Sequence, residues 1–390
     1  KLSRINDDAG LRAADIEAIR NKRMVVIVDE AHRSTFGDML STIKRTFPQA
    51  VLFGFTGTPI HDENQRKQNT TATIFGDELH RYSIADGIRD GNVLGFDPYK
   101  VETYSSRELR KSVALRQAEA TTEEEALGNP QKQAIYHRFM DSGQVPMAGH
   151  LDINGRWKKG VEDYLPPSQY DQDEHRTAVA QNIADDWLRL SRSSKFHALF
   201  ATHSIREAIL YYRLFKEQYP HLKVAALFDP NIDNDEGATV RFKQDGLVEI
   251  LRNYNSTYGQ NFTLATFDRY KKDVAARLAH KEPHRRADLG EERIDLLIVV
   301  DQMLTGFDSR WVNTLYLDKV LRYESIIQAF SRTNRLFGDD KPFGTIKYYR
   351  KPATMEHNVQ QAVELYSGHT PLGLFVNRLR ANLEGMNRVF

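Results

Sequence analysis

The stretch Met24-Val25-Val26-Ile27-Val28-Asp29-Glu30-Ala31-His32 joins a run of β-branched residues to two carboxylates and a histidine. Five apolar residues in succession predict a strand buried on both faces of a parallel sheet. A helical stretch over 41–47 leads to a second apolar run, Val51-Leu52-Phe53-Gly54-Phe55, which stops at Thr56-Gly57-Thr58-Pro59. Strand, helix, strand and loop in that order predict an α/β fold, in which chemistry collects just beyond the carboxyl ends of the strands.

Working outward, periodicity weakens from about Tyr99 to Pro167, with an acidic patch at Glu123-Glu124-Glu125 and turn formers at Gly128-Asn129-Pro130. Residues 1–98 therefore read as one unit and 99–176 as a linker or insertion. A second α/β unit is expected over 177–352. Its strands are expected at Phe196 to Ala201, Val224 to Phe228, Ile294 to Val300 and Thr345 to Tyr349. A polar insertion over about 229–293 interrupts it. The remainder, 353–390, has helical spacing of apolar residues, among them Val359, Val363, Leu372 and Phe375, and should pack on something.

The 390 residues carry 54 Lys+Arg against 53 Asp+Glu, a net charge of +1, and no cysteine. The charge excludes a chain-wide basic field, so nucleic-acid binding would need a local stripe or placed dipoles and hydroxyls. The lack of cysteine excludes disulfides, thiolate zinc sites and cysteine nucleophiles, and suits a reducing compartment such as the cytoplasm. No apolar run approaches the roughly 18 residues that a membrane-spanning helix needs. The sequence does not open with methionine, and it reads as part of a longer chain.

Asp29 and Glu30 directly follow the strand, where paired carboxylates can hold hydrated Mg2+ and orient an attacking water. An acidic turn capping the next helix is the plainer reading. His32 is equally readable as a hydrogen-bonded histidine beneath the strand ends. Arg332 and Arg335 lie three apart, so a helix would project both from one face, suited to phosphate oxygens or to ordinary salt bridges. Gln328 sits one turn earlier and either reads a ligand or packs between units. Thr305, Gly306 and Asp308 follow the strongest strand, where glycine permits close backbone approach and Asp bonds a ribose, joins a coupling network or caps a helix. Thr56, Thr58 and Thr202 offer hydroxyls that suit nucleic-acid phosphates, or a plain strand-to-helix turn.

Taken in order, these segments resemble the motifs of superfamily 2 helicases and translocases. Val25 to His32 is similar to motif II, the Walker B element, with its Asp-Glu-Ala-His box. Thr56-Gly57-Thr58-Pro59 resembles motif III, and Phe200-Ala201-Thr202-His203-Ser204 motif IV. Leu304-Thr305-Gly306-Phe307-Asp308 resembles motif V, and Gln328-Ala329-Phe330-Ser331-Arg332-Thr333-Asn334-Arg335 motif VI. The longer strings, including Asn313-Thr314-Leu315-Tyr316-Leu317-Asp318-Lys319, are similar to the motor, or restriction, subunit of type I restriction-modification enzymes, over about residues 24–350.

The resemblance implies two RecA-like parallel-sheet lobes, the first incomplete at its N-terminus, followed by the start of a C-terminal helical region. It implies ATP and Mg2+ as ligands, with Asp29 on the metal, Glu30 polarising the hydrolytic water, and Arg332 and Arg335 acting as arginine fingers. His32, Gly306, Asp308 and Gln328 are then assigned to nucleotide binding and coupling, and Thr56, Thr58, Thr202 and Thr305 to the nucleic acid. The implied partners are double-stranded DNA and the methyltransferase and specificity subunits; the last of these chooses the DNA site.

No Gly-Lys dipeptide occurs, so the phosphate-cradling Walker A loop is expected upstream, and so is the nuclease domain, because no Glu-x-Lys triplet occurs either. These residues are therefore expected to be inactive alone. A strand-separating helicase of the same superfamily and a non-catalytic scaffold are the alternatives. His280 and His284 read as a solvated loop, Tyr211, Tyr212 and Phe215 as core, and Lys271-Lys272 and Arg285-Arg286 as surface.

Overall fold

The computed structural model describes residues 18, 22–32, 43–61, 70–229, 240–286, 290–304, 306–367 and 375. Strands β1 (Val25–Val28) and β2 (Val51–Gly54) pair in parallel, Val25 opposite Val51. One face of the pair packs Val26, Val28 and Leu52 against Ile74 and Phe75 of helix α1 (Thr71–Phe75). Gly54 permits the approach, since a Cβ there would meet the Phe75 ring at 2.8 Å. The other face differs from the expected double burial. Val25, Ile27, Val51 and Phe53 are exposed, because side chains alternate along a strand and α1 covers only one side.

Helix α2 (Ile84–Arg89), capped by Ser83, leads into β3 (Phe96–Lys100). The expected boundary at residue 98 falls inside this strand, which pairs with the sheet of the second lobe. The segment read as a linker or insertion folds as a helical module. Helices α3 (Ser106–Gln117), α4 (Glu123–Leu127) and α5 (Pro130–Met140) enclose their own small core of Leu109, Val113, Ala114, Tyr136 and Phe139. Arg110 ties it internally, donating to the carbonyls of Phe139 at 2.7 Å and Val145 at 2.6 Å. A short antiparallel hairpin follows, β4 (His150–Leu151) with β5 (Trp157–Lys158).

The second lobe is built on a six-stranded parallel sheet in the order β3-β10-β9-β6-β8-β7, where β6 is His197–Thr202, β7 Val224–Leu227, β8 Leu296–Val299, β9 Val312–Asp318 and β10 Gly344–Tyr348. Parallel pairing puts every carboxyl end along one edge. Helices α6 (Asp173–Leu190) and α7 (Ile205–Gln218) bury Val179, Ile183, Trp187, Ile209 and Phe215 in the core, each worth about 1.5–3 kcal/mol. Tyr211 and Tyr212 are core residues, as expected.

The stretch read as a polar insertion carries α8 (Val240–Tyr258) and α9 (Phe267–Ala279). Their apolar sides, Leu247, Ile250 and Leu251 with Tyr270, Val274 and Leu278, join the same core. His280 and His284 are therefore not solvated. His280 stacks on Trp311 with ring centroids 3.9 Å apart, and buried His284 lies between Asp273 (2.6 Å) and Glu292 (3.0 Å). Helix α10 (Glu324–Phe330) precedes β10, and α11 (Pro352–Tyr366) follows it, burying Met355, Val359 and Val363. The tail beyond 367, Phe375 apart, lies outside the described residues.

β9 occupies the centre of the sheet although its polar residues hide it in the sequence. Asp318, at its end and fully buried, accepts from His175 (2.9 Å), Tyr211 (3.0 Å) and Arg350 (3.1 Å). Burial opposes its ionisation, yet Arg350 and His175 together hold the carboxyl down at about 2.

Candidate active site

Beyond β1 the chain turns sharply. Glu30 sits at φ +52°, a left-handed conformation uncommon for a non-glycine residue, and its amide donates to Asp29 Oδ1 at 2.9 Å. Two backbone bonds, Phe55 N–H to Val28 O (2.8 Å) and Ala31 N–H to Phe55 O (3.0 Å), lash this turn to the end of β2. Both carboxylates are thereby left exposed beyond the strand ends. His32, by contrast, is 8% exposed. Its Nδ1 lies 2.7 Å from Thr56 Oγ1, 3.3 Å from Glu30 Oε2 and 3.4 Å from Thr58 Oγ1.

The second lobe closes this cluster with one side chain. Gln328, on α10, donates its amide to His32 Nε2 at 2.7 Å and to Thr58 Oγ1 at 3.0 Å. With the Gln328 amide at Nε2, the other ring nitrogen, Nδ1, faces Thr56 and Glu30. Gln328 thus joins the two lobes, on a helix one turn before Arg332.

The arginines correct an expectation. α10 ends at Phe330 and residues 331–335 form turns and irregular backbone, so Arg332 and Arg335 do not share a helix face. They still converge on one loop. Arg332 donates through Nε to Gln328 O (3.0 Å) and through Nη1 to Phe307 O, while Arg335 Nε donates to Asp308 Oδ1 at 2.7 Å. Burial and then the charge of Arg335 push the Arg332 guanidinium below the usual arginine range, against the pull of Asp308 and Glu30. The guanidinium stays charged.

The loop that receives both arginines follows β8 and holds two left-handed positions, Met303 at φ +65° and Gly306 at φ +71°. Glycine adopts that conformation without strain. Thr305 lies outside the described residues. Thr202, expected on the nucleic-acid face, is a correction: it is fully buried, and its hydroxyl donates to Ser204 O (3.1 Å) and Val299 O (3.3 Å), stitching β6 to β8. Ser204 caps α7 by accepting from Glu207 N–H.

Two contacts had no signal in the sequence. The Phe307 carbonyl is backbone, and any residue supplies one. Tyr366, on α11, donates to Pro59 O at 3.1 Å, a second bridge between the lobes. Among the described residues no group of three or more acidic or histidine side chains could cage a metal ion. The two exposed carboxylates Asp29 and Glu30 nonetheless fit Mg2+, which is commonly held by one or two carboxylates with waters and phosphates. Nor, among the described residues, is any helix long and apolar enough to cross a membrane.

Comparison with known proteins brings the halves together. Residues 194–351 match the family model of type I restriction enzyme subunit R domain 3, and residues 2–133 match that of the SWI2/SNF2 ATPase. The endonuclease subunit of the type I restriction enzyme SauMRSORF196P from Staphylococcus aureus is 34% identical over 342 residues, 86% of this chain and 31% of that protein. The endonuclease subunit of SsaAORF53P from Staphylococcus saprophyticus is 33% identical over 91% of this chain and 33% of its own length. Among solved structures, the ATP-dependent Type ISP restriction-modification enzyme LlaBIII bound to DNA superposes at a TM-score of 0.41 and 13% identity, covering 90% of this chain and 21% of that one. That likeness is too loose to bear on function.

Proposed function

Because the chain belongs to the family of type I restriction enzyme endonuclease subunits, and spans about a third of the length of the curated relatives it matches, we propose that it forms the main part of an ATP-driven motor. The motor translocates double-stranded DNA for a nuclease domain encoded upstream. The observation that carries this reading is the Gln328 bridge, which ties the turn after Asp29 and Glu30 in one lobe to the helix that leads into Arg332 in the other.

In this account Asp29 holds Mg2+, which when bound neutralises charge on the phosphates of ATP. Glu30 accepts a hydrogen bond from the attacking water and aligns it. Arg332 and Arg335 bring positive charge to the γ-phosphate, leaving Phe307 O and Asp308 as the lobes tighten. Loss of that phosphate removes what the arginines grip, and they return to the loop over 306–308. His32 and Gln328 transmit the change to Thr56 and Thr58, whose loop meets the DNA backbone. The Walker A loop completes the site from the upstream portion, so these residues alone are expected to be inactive. The subunit works in the cytoplasm beside methyltransferase and specificity subunits.

The test is ATP hydrolysis by the full-length subunit in its complex, with and without linear duplex DNA, alongside displacement of a third strand from a triplex. Stimulated hydrolysis with displacement, and no unwinding of a blunt duplex, is the expected result. Unwinding would identify a strand-separating helicase, and the lack of any hydrolysis a scaffold.

A further inference from the structure

The helical module between the lobes carries a feature that the motor chemistry leaves unused. A cleft of about 890 Å³ opens between the β4–β5 hairpin and the end of α5, within the size range of ligand pockets. Arg138, His150, Lys158 and Lys159 line it against a single carboxylate, Asp152, and all four basic residues are exposed. In a chain of net charge +1 this is a local concentration of positive charge. Trp157, which also lines it, is 46% exposed.

The indole is held rather than loose. A Cβ at Gly149 would sit 2.4 Å from Trp157 Cζ2, so the ring rests directly on the backbone of residue 149. Behind it the chain is locked: Val161 N–H donates to Pro146 O and Glu162 N–H to Met147 O, both at 2.9 Å, and a Cβ at Gly160 would strike the Ala148 carbonyl carbon at 2.3 Å. Lys159 Nζ is held 5.4 Å above the Tyr164 ring. Asp152 bonds its own turn, accepting from the amides of Asn154 and Arg156 at 2.9 Å. Its other oxygen lies 3.7 Å from Lys158 Nζ, an exposed pair that a phosphate can displace.

We propose that this cleft is an accessory site for single-stranded nucleic acid, with Trp157 stacking on an unpaired base and Arg138, Lys158 and Lys159 holding the flanking phosphates. A fixed, half-exposed aromatic ring among cations is the combination that binds unpaired strands without reading sequence. A protein partner would use the apolar residues of the hairpin, Leu151 and Ile153, but it gains nothing from the basic wall, and charge complementarity favours a polyanion. The module moves with the second lobe, because buried Glu162 accepts from the amides of Ala353 (3.0 Å) and Thr354 (2.7 Å) at the start of α11. A strand held at Trp157 is therefore carried by that lobe. The proposal goes beyond the motor reading and its test needs no ATP, so failure of either leaves the other standing.

The experiment is titration of the full chain into fluorescein-labelled oligo-dT of twenty nucleotides, followed by photocrosslinking of the same oligonucleotide carrying 5-iododeoxyuridine. Trp157→Ala is expected to weaken binding about tenfold, and Trp157→Phe to retain most of it. The crosslink is expected at Trp157. Changing Lys158 and Lys159 to Gln is expected to flatten the dependence of log K on log salt by about 0.7 for each phosphate no longer neutralised. Far-UV circular dichroism confirms that the variants fold. Unchanged affinity in Trp157→Ala, or crosslinks only elsewhere, would overturn the proposal.

Discussion

Gln328 and His32, 296 residues apart, meet at 2.7 Å, amide donor to Nε2 acceptor, and this bond joins the turn that bears Glu30 to the helix that precedes Arg332. The same amide holds Thr58 at 3.0 Å. Residues given separate roles by the sequence therefore form one connected path from the carboxylates to the threonine loop.

If the path transmits, His32→Ala and Gln328→Ala should not be independent. In a double-mutant cycle on the DNA-stimulated rate of the full-length subunit, the double variant is expected to be little worse than the poorer single. The coupling energy should fall in the range of about 0.5–3 kcal/mol typical of contacting residues. Strict additivity would mean the contact is incidental.

Arg332 is expected to matter for catalysis far more than for stability. Its fork divides between Gln328 O and Phe307 O, a geometry that lysine cannot copy. If Arg332 acts as an arginine finger, Arg332→Lys should lower turnover by about 10³-fold or more. Arg335→Ala loses one exposed pair with Asp308 and should shift urea stability by less than about 1 kcal/mol. Steady-state kinetics beside urea melts of both variants check this, and wild-type turnover in Arg332→Lys would refute the assignment.

Lys341 is 1% exposed, and its ammonium donates to the carbonyls of Arg310 (3.1 Å) and Val312 (2.7 Å). Burial, aided by Arg335, pulls its pKa from 10.5 to about 7. Below pH 7 the lysine is charged in both folded and unfolded chains, and the cost of burying the charge is felt in full. Between about 7 and 10.5 the unfolded chain holds a proton that the folded one has shed, so this group makes stability rise with pH, by at most about 1.4 kcal/mol per unit. Urea midpoints at pH 6.5, 7.5 and 8.5 should climb more steeply in the wild type than in Lys341→Met. Parallel curves would contradict the assignment.

Asp318 anchors the carboxyl end of β9, at the centre of the six-stranded sheet. Asp318→Asn leaves Arg350 buried with its main counter-charge gone and should cost about 3–5 kcal/mol in urea denaturation. Because the folded pKa is held at about 2, the stabilising contribution is present above the unfolded value near 3.8 and is lost as pH falls through 2. A variant within about 1 kcal/mol of the wild type would show that the network is replaceable.

The parallel sheet was legible because its strands are runs such as Leu296 to Val299 that only a doubly covered sheet buries. The site was legible in part. Asp29, Glu30, His32, Thr58 and Gln328 announce themselves by type and position, and the structure gathers them. β9 was missed because Asn313, Thr314 and Asp318 break its apolar pattern, each polar group being satisfied by a partner distant in sequence or by a neighbour. α8 and α9 were read as polar because their exposed sides are densely charged, while one apolar side apiece carries the packing. Thr202 shows the opposite error. A hydroxyl beyond a strand suggests a phosphate ligand, and nothing local reveals that the Val299 carbonyl already accepts it.

The most direct measurement of the central claim is ATP binding and hydrolysis by the full-length subunit carrying Glu30→Gln, in its complex and with duplex DNA. Glutamine keeps the size of the side chain and the turn at φ +52° while removing the charge that aligns water. The expected result is ATP affinity within about threefold of the wild type, with DNA-stimulated turnover lost by at least about 10²-fold. Near-normal turnover with normal binding would contradict the claim that Glu30 and the arginines across the gap form one hydrolytic site.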